Sequence, residues 1–247
     1  DYAEGRQQEY VRVQKRIHKI MRRMHLVQAA IMTFLVILLV VPKQFDCRLT
    51  FLDVGQGDGI CIETQGEVFL IDCGSTSQEN IGKYTLAPFL KYRGIDEIDG
   101  WFLTHPDKDH TSAFAELCED GDIGEISVET LYIPKALEKE FEEIIMLAEH
   151  YKIEVIMLET GDKINIGDMT MTVLSPAIKQ LYGAEKAASL VFFLEYDGFD
   201  ALFMGDAGAE AERSIINQGI EDVTLLKVGH HGSSIEANTA AFIETMS

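Results

Sequence analysis

The sequence predicts an α+β fold: two packed mixed sheets flanked by helices, preceded by a membrane helix. Three observations predict it. Short β-rich runs outnumber helical segments, and the helical segments fall between groups of strands. Residues 26–41 hold no Asp, Glu, Lys or Arg and are almost wholly apolar. Charge divides at the same place: residues 1–25 hold seven Lys/Arg and three Asp/Glu, a balance of +4, so a chain of net −20 leaves −24 on the other 222 residues.

The elements follow in order. Residues 1–25 form a basic cytoplasmic segment, with a helix over 9–24 lying against an anionic leaflet. Residues 26–43 form a transmembrane helix, near the lower length limit of about 17 residues. Lys15, Arg16, Lys19, Arg22 and Arg23 precede it, which by the positive-inside rule keeps that flank in the cytoplasm and the acidic body outside. Residues 44–247 form the body, and the chain is expected to sit at the cell membrane. It opens on Asp1 rather than Met and its last residues, AFIETMS, break off inside a helical pattern. A piece of a longer protein, shortened at its C-terminus, is therefore expected.

In the body, CRLTFLDV (47–54), GICIET (59–64) and EVFLID (67–72) alternate with Gly-containing turns and read as an antiparallel meander. An amphipathic helix over 81–94 ends at a capping Gly94. DGWFLT (99–104) is a buried strand, followed by a polar loop and a short helix over 112–119. A strand at 126–134 leads to the clearest helix, 136–151, with Phe141, Ile144, Ile145 and Ala148 on one face. Strands are expected near 153–158, 169–174, 189–196, 199–205 and 223–229. A helix between the last two is closed by Gly219, and a final helix starts near Ser233 or Ser234, where it would offer N-caps or an anion site. Cys47, Cys61, Cys73 and Cys118 share no metal-binding spacing and read as free, mostly buried thiols.

The chemistry concentrates after strands. His105-Pro106-Asp107-Lys108-Asp109-His110 sets four metal-ligand side chains within six residues, just past a buried strand. Imidazole nitrogens and carboxylate oxygens suit divalent Zn or Mn. Gly205-Asp206 ends the apolar run ALFMGD, and Gly229-His230-His231-Gly232 ends the next strand. These clusters together hold four of the seven His. An acidic body cannot draw in nucleic acid through its average field, so an anionic substrate needs local positive charge, which metal ions would supply.

FLDVGQGDG, LIDCG, LTHPDKDH, SLVFFLEY, LFMGD and LLKVGHHGSS, in that order over about residues 48–247, resemble the metallo-β-lactamase superfamily. More narrowly, they resemble the hydrolase domain of the ComEC family of competence DNA-uptake proteins. The resemblance implies an αββα sandwich and a site for two divalent metal ions, Zn or Mn. It implies His105 and Asp107 on the first ion, Asp109 and His110 on the second with His231 or His230, and Asp206 between them. Asp72 would orient ligands from behind, and Asp58 and Gln56 would line the pocket. Asp109, Asp206 and Asp58 are the implied catalytic set. The implied reaction is attack of a metal-bridging hydroxide on a phosphodiester of DNA, beside the rest of a polytopic uptake channel. Asp107 stands where the superfamily more often has His. No His lies between 110 and 230 except His150, read as a helix-surface residue. Two other readings stay open: hydrolysis of a small phosphodiester, phosphocholine ester or lactone, and an inactive membrane-anchored module.

Overall fold

The computed structural model describes residues 2–40, 47–119, 126–176, 189–234 and 237–247. It divides into two units, Asp1–Gln44 and Phe45–Ser247. The first holds one continuous helix, α1 (Tyr2–Val40), of 39 residues. At 1.5 Å per residue it is about 58 Å long, nearly twice the thickness of a bilayer's hydrocarbon core. The segment Glu9–Ile37 is long and apolar enough to cross a membrane, and none of it is buried within the molecule. The expected surface helix and the expected span are therefore one helix; residues 41–43 of that span lie outside the described residues.

In the second unit β1 (Cys47–Phe51), β2 (Gly59–Thr64) and β3 (Glu67–Asp72) pair antiparallel, as their alternation and Gly-containing turns require. β4 (Glu97–Phe102), β5 (Ser127–Pro134) and β6 (Glu154–Leu158) extend this sheet in parallel, giving the order β1-β2-β3-β4-β5-β6. Parallel neighbours need crossovers. Helices α2 (Ala87–Arg93), α3 (Lys108–Glu119) and α4 (Glu142–His150) lie in these three connections. The second sheet runs β11-β10-β9-β8-β7, from β7 (Lys163–Ile166), β8 (Met169–Ser175), β9 (Val191–Tyr196), β10 (Phe199–Phe203) and β11 (Leu225–Lys227). It is antiparallel except at β10–β11, which α5 (Ala209–Asn217) connects; α6 (Ala240–Met246) follows. Both sheets are thus mixed.

Period-two side chains build the layers. Leu70 and Trp101 face α3 and α4 and pack with Phe114 and Phe141. Their neighbours Phe69, Ile71 and Phe102 face the other way and meet Phe192 and Phe203 between the sheets. Leu202 and Met204 turn outward again onto Ile215 of α5 and Phe242 of α6. Three apolar layers separate helices, sheet, sheet and helices, which is the expected sandwich. All four cysteines are free, and Cys61, Cys73 and Cys118 are buried.

The structure moves several boundaries. The helix expected from 112 begins at Lys108, so Asp109 and His110 sit in its first turn rather than in a loop. The helix expected over 136–151 is helical only from Glu142, after a 3-10 turn over Lys135–Leu137. The expected helix over 81–94 opens as a π-turn over Gly82–Leu86. Pro88 cannot donate the usual backbone bond, and Ala87 N–H reaches back five residues to Gly82 O instead. The last helix starts at Ala240, capped by the Thr239 hydroxyl, so neither Ser233 nor Ser234 is its N-cap. Strand β7 was not expected; its four residues, KINI, are too short for a clear period.

Candidate metal centre

The site forms where strands and one helix end together. The ends of β3 and β4 bring Asp72 and Thr104-His105, and the first turn of α3 brings Asp109 and His110. The ends of β10 and β11 bring Asp206 and the pair His230-His231. The loop between β1 and β2 brings Asp58.

Backbone bonds lock these pieces into one frame. Asp58 N–H donates to Asp109 O (3.1 Å), Gly74 N–H to Asp58 O (3.0 Å) and Cys73 N–H to His110 O (3.0 Å). Gly57 and Gly74 make this approach possible. A Cβ on Gly57 would stand 2.1 Å from Gly74 O, and one on Gly74 would stand 2.4 Å from Lys108 O. Gly57 of GQGDG and Gly74 of DCG are there for this contact. Asp72 leaves β3 with φ 55°, and His230 and His231 take φ 49° and 51°. Each such residue costs about 1–3 kcal/mol. Asn238 holds the second turn: its amide donates to Gly229 O (2.8 Å) and Ser233 O (2.9 Å).

Each of two histidines is backed by a buried carboxylate. Asp72 Oδ2 accepts from His110 Nδ1 (2.9 Å), while its two oxygens also take the N–H and O–H of Thr104 (2.7 Å each). The Asp72 carbonyl accepts from Trp101 Nε1 (2.9 Å). His110 Nε2 then faces Asp206 Oδ1 at 3.2 Å. Asp58 Oδ1 lies 3.3 Å from His231 Nδ1, close but off the line of a hydrogen bond, and His231 Nε2 faces Asp109 Oδ2 (3.2 Å) and Asp206 Oδ1 (3.6 Å).

Among the described residues six buried side-chain polar atoms lack a hydrogen-bond partner, and three are here: His110 Nε2, Asp206 Oδ1 and His231 Nδ1. Such atoms are costly to bury unless something else satisfies them. Ligand atoms of Asp109, His110 and His231, and of Asp58, Asp206 and His231, each fall within 4.8 Å of one another. Nitrogen and oxygen donors so grouped fit a divalent cation. A cleft of about 300 Å³, near the low end for ligand pockets, is lined by Thr76, His105, Asp107, Lys108, Asp109, Asp206 and His230.

The electrostatics match this arrangement. Burial opposes the His110 charge, but Asp72 and Asp206 outweigh it and raise its pKa well above the ordinary value. The hydrogen bond to Asp109 and then the nearby Asp58 carboxylate lift His231 to about 9. Burial pushes Asp206 up, but His110 and His231 hold it well below the usual carboxylate range. His231 lowers Asp109. Asp58 is lowered by His231 and Lys227 against the effect of burial. His105 goes the other way: burial lowers it, and Asp107 only partly offsets this.

Asp58, Asp72, Asp109, His110, Asp206 and His231 thus come together. His105 and Asp107 lie beside them on the cleft wall, engaged with each other at 3.5 Å. His230 is at the rim, 4.0 Å from Asp206. Gln56 is exposed; its backbone ties the turn, donating to Ser77 Oγ and accepting from Thr76 N–H, while its side chain lines no part of the cleft. His150 is exposed at the end of α4, as expected. Two residues carry roles that the sequence did not suggest. Thr104 anchors Asp72, and Lys227 pairs with Asp58 across 169 residues of chain. A lone Lys in an apolar strand pattern was the available signal.

The metallo-beta-lactamase superfamily model matches residues 52–242. The chain belongs to the metallo-β-lactamase superfamily. Its metal-dependent hydrolase fold is the one the motifs led us to expect. ComE operon protein 3 of Bacillus subtilis (strain 168) is 31% identical over 205 residues, covering 75% of this chain and 25% of that relative. The chain thus spans about a quarter of that protein's length. A putative metal-dependent hydrolase from Parabacteroides distasonis superposes with TM-score 0.49 at 13% identity, covering 80% of this chain and 76% of that one. The metallo-beta-lactamase fold protein YhfI from Bacillus subtilis superposes with TM-score 0.47 at 16% identity, covering 73% and 67%.

Proposed function

We propose that this chain is a membrane-anchored, metal-dependent phosphodiesterase that acts on DNA during DNA uptake. The observation that carries the reading is the convergence of Asp109, His110, Asp206 and His231 on one cleft, with buried lone-pair atoms left unpartnered. In this reading Asp109, His110 and His231 would hold one divalent ion, His105 and Asp107 would hold a second, and Asp206 would add a carboxylate to the site. His231 is preferred to His230 because its ring reaches Asp109 and Asp206 together. Bound divalent ions, Zn or Mn, supply charge that polarises a phosphoryl oxygen and acidifies water near neutral pH.

The chain's own residues do the rest. Asp72 accepts the hydrogen bond of His110 Nδ1–H, which turns Nε2 inward. Asp58 stands in the same post behind His231. Asp109 and Asp206, both held ionised, accept hydrogen bonds from the attacking water and orient it. Thr76 and Lys108 on the cleft wall meet the phosphate and sugar.

Likeness to ComE operon protein 3 supports DNA as the substrate and a longer channel protein as the setting. Charge asymmetry supports residues 1–25 as cytoplasmic, 26–43 as the span and 44–247 as an extracytoplasmic domain. Reporter fusions at either end of α1 test that orientation.

The deciding experiment incubates the chain with single- and double-stranded DNA and Mn or Zn, with Asp109→Ala alongside. Degradation by the wild type alone supports the reading. The acidic body and the small cleft favour a second reading, a small phosphodiester as substrate. Cleavage of bis(p-nitrophenyl) phosphate with DNA left intact would select it.

A further inference from the structure

We propose that Lys227 is a positioning residue of the metal centre: its ammonium pins Asp58 behind His231 and so fixes the ring that faces the ligand carboxylates. The inference rests on reading the cluster as a metal centre. A cation buried beside a site for cations calls for a reason, because the bare Coulomb interaction is repulsive. The Lys227 side chain is only 11% exposed. Its Nζ pairs with Asp58 Oδ2 and donates to Gly205 O at 3.1 Å. Gly205 immediately precedes Asp206, and His230 N–H donates to the same Gly205 carbonyl (3.0 Å). One ammonium therefore ties the β1–β2 loop of the first sheet to the ends of β10 and β11 in the second.

The contrast with Asp72 gives the reason. Asp72 is saturated by Thr104 and His110 and cannot turn away. Among the described residues no neutral side chain donates to Asp58, and its carboxylate lies within ligand reach of both Asp206 and His231. Without a partner it would be a buried anion beside an ion-binding cleft, free to become a ligand itself and to release His231. Lys227 prevents this. It satisfies one oxygen and leaves the other, Oδ1, against His231 Nδ1. It thereby sorts the carboxylates: Asp109 and Asp206 bind, and Asp58 supports.

The test titrates zinc alone into the full chain in detergent, against a chromophoric chelator, with an unfolding curve recorded for every variant. Lys227→Met is expected to weaken zinc binding about 10–100-fold, the usual cost of losing a group that orients a ligand. Lys227→Arg recovers most of the affinity. Asp58→Asn weakens binding similarly, and Asp58→Asn with Lys227→Met is no weaker than Asp58→Asn alone. Zinc bound by Lys227→Met as tightly as by the wild type, or more tightly, overturns the proposal, because Lys227 then only repels the ion. If Lys227→Met does not fold, unchanged affinity in Asp58→Asn overturns it. A wild type that binds no zinc overturns this inference and the proposed function together; a wild type that binds with variants unaffected overturns this inference alone.

Discussion

The two halves of the cleft are built differently. In the inner half His110 and Asp72 are essentially inaccessible, and each is fixed by hydrogen bonds to the end of β4 or to the other. In the outer half the Asp107 side chain is 56% exposed, and His105 Nδ1 is turned toward it rather than toward a shared point. The inner half also traps protons: its carboxylates are held low and its imidazoles high. His105 is instead kept neutral by burial. On the proposed function, the inner half is a preformed cage in which protons stand where a cation would bind, and the outer half would gain its geometry when an ion arrives.

Removing a cage ligand should have the largest effect. Asp109→Ala takes the hydrogen-bond partner from His231 and a carboxylate from the cleft at once. We expect complete loss of hydrolysis and loss of the tighter-bound ion, read by elemental analysis, with the fold retained by circular dichroism. Metal content equal to wild type would break the distinction between the halves.

Stepwise loading should be the next largest. Zinc or manganese titration should resolve two affinities at least tenfold apart, the weaker one belonging to His105 and Asp107. Asp107→Ala should remove only the weaker step, because its carboxylate is mostly in water and holds no inner ligand in place. A single step lost equally in Asp107→Ala and Asp109→Ala would show that the halves act as one.

Protonation sharpens the comparison further. Ligation by His231 must displace a proton that the metal-free site holds up to about pH 9. The apparent affinity of the inner ion should therefore rise about tenfold per pH unit for each proton displaced, lose the His231 part of that slope above about pH 9, and be accompanied by proton release. Metal-free stability follows the opposite sign for the histidine. His231, raised from 6.5, contributes fully below about pH 6.5, and that contribution fades as pH climbs through about 9. Asp206, lowered from 3.8, contributes above about pH 4, and that contribution fades as pH falls. Thermal unfolding with chelator present should be best between those limits as far as this cluster decides it. Added zinc should move the optimum to higher pH.

Much of this arrangement was legible in the sequence, for a physical reason. The candidate ligands leave strand ends in short runs, so HPDKDH, GD and HHG announce themselves locally. The meander and the layered core follow from period-two apolar patterns around Phe69, Trp101 and Phe192. Long-range pairing was not legible. Nothing within a few residues of Lys227 indicates Asp58, and nothing near Thr104 indicates that its hydroxyl serves Asp72. The start of α3 was misread because Asp109 and His110 look like loop residues. They spend the helix's first turn on the site, where Asp109 also suits the helix N-terminus. The helix expected at Ser233 gave way to two histidines with positive φ, a conformation propensity does not foresee.

The smallest effect expected is also the finest probe of the inner half. Thr104→Val keeps the backbone N–H that Asp72 Oδ1 accepts and removes only the hydroxyl donated to Oδ2. The shape is nearly conserved, so packing against Leu190 and Gly205 should hold. One hydrogen bond to a buried carboxylate is lost, worth about 1.5–3 kcal/mol in unfolding free energy. Because Asp72 Oδ2 also accepts the hydrogen bond from His110 Nδ1, the ring should loosen slightly, and the inner ion should bind a few-fold more weakly. The outer step should not change. If Thr104→Val shifted the weaker affinity as much as the tighter one, Asp72 would be bracing the whole cleft, and the cage would extend to His105 and Asp107.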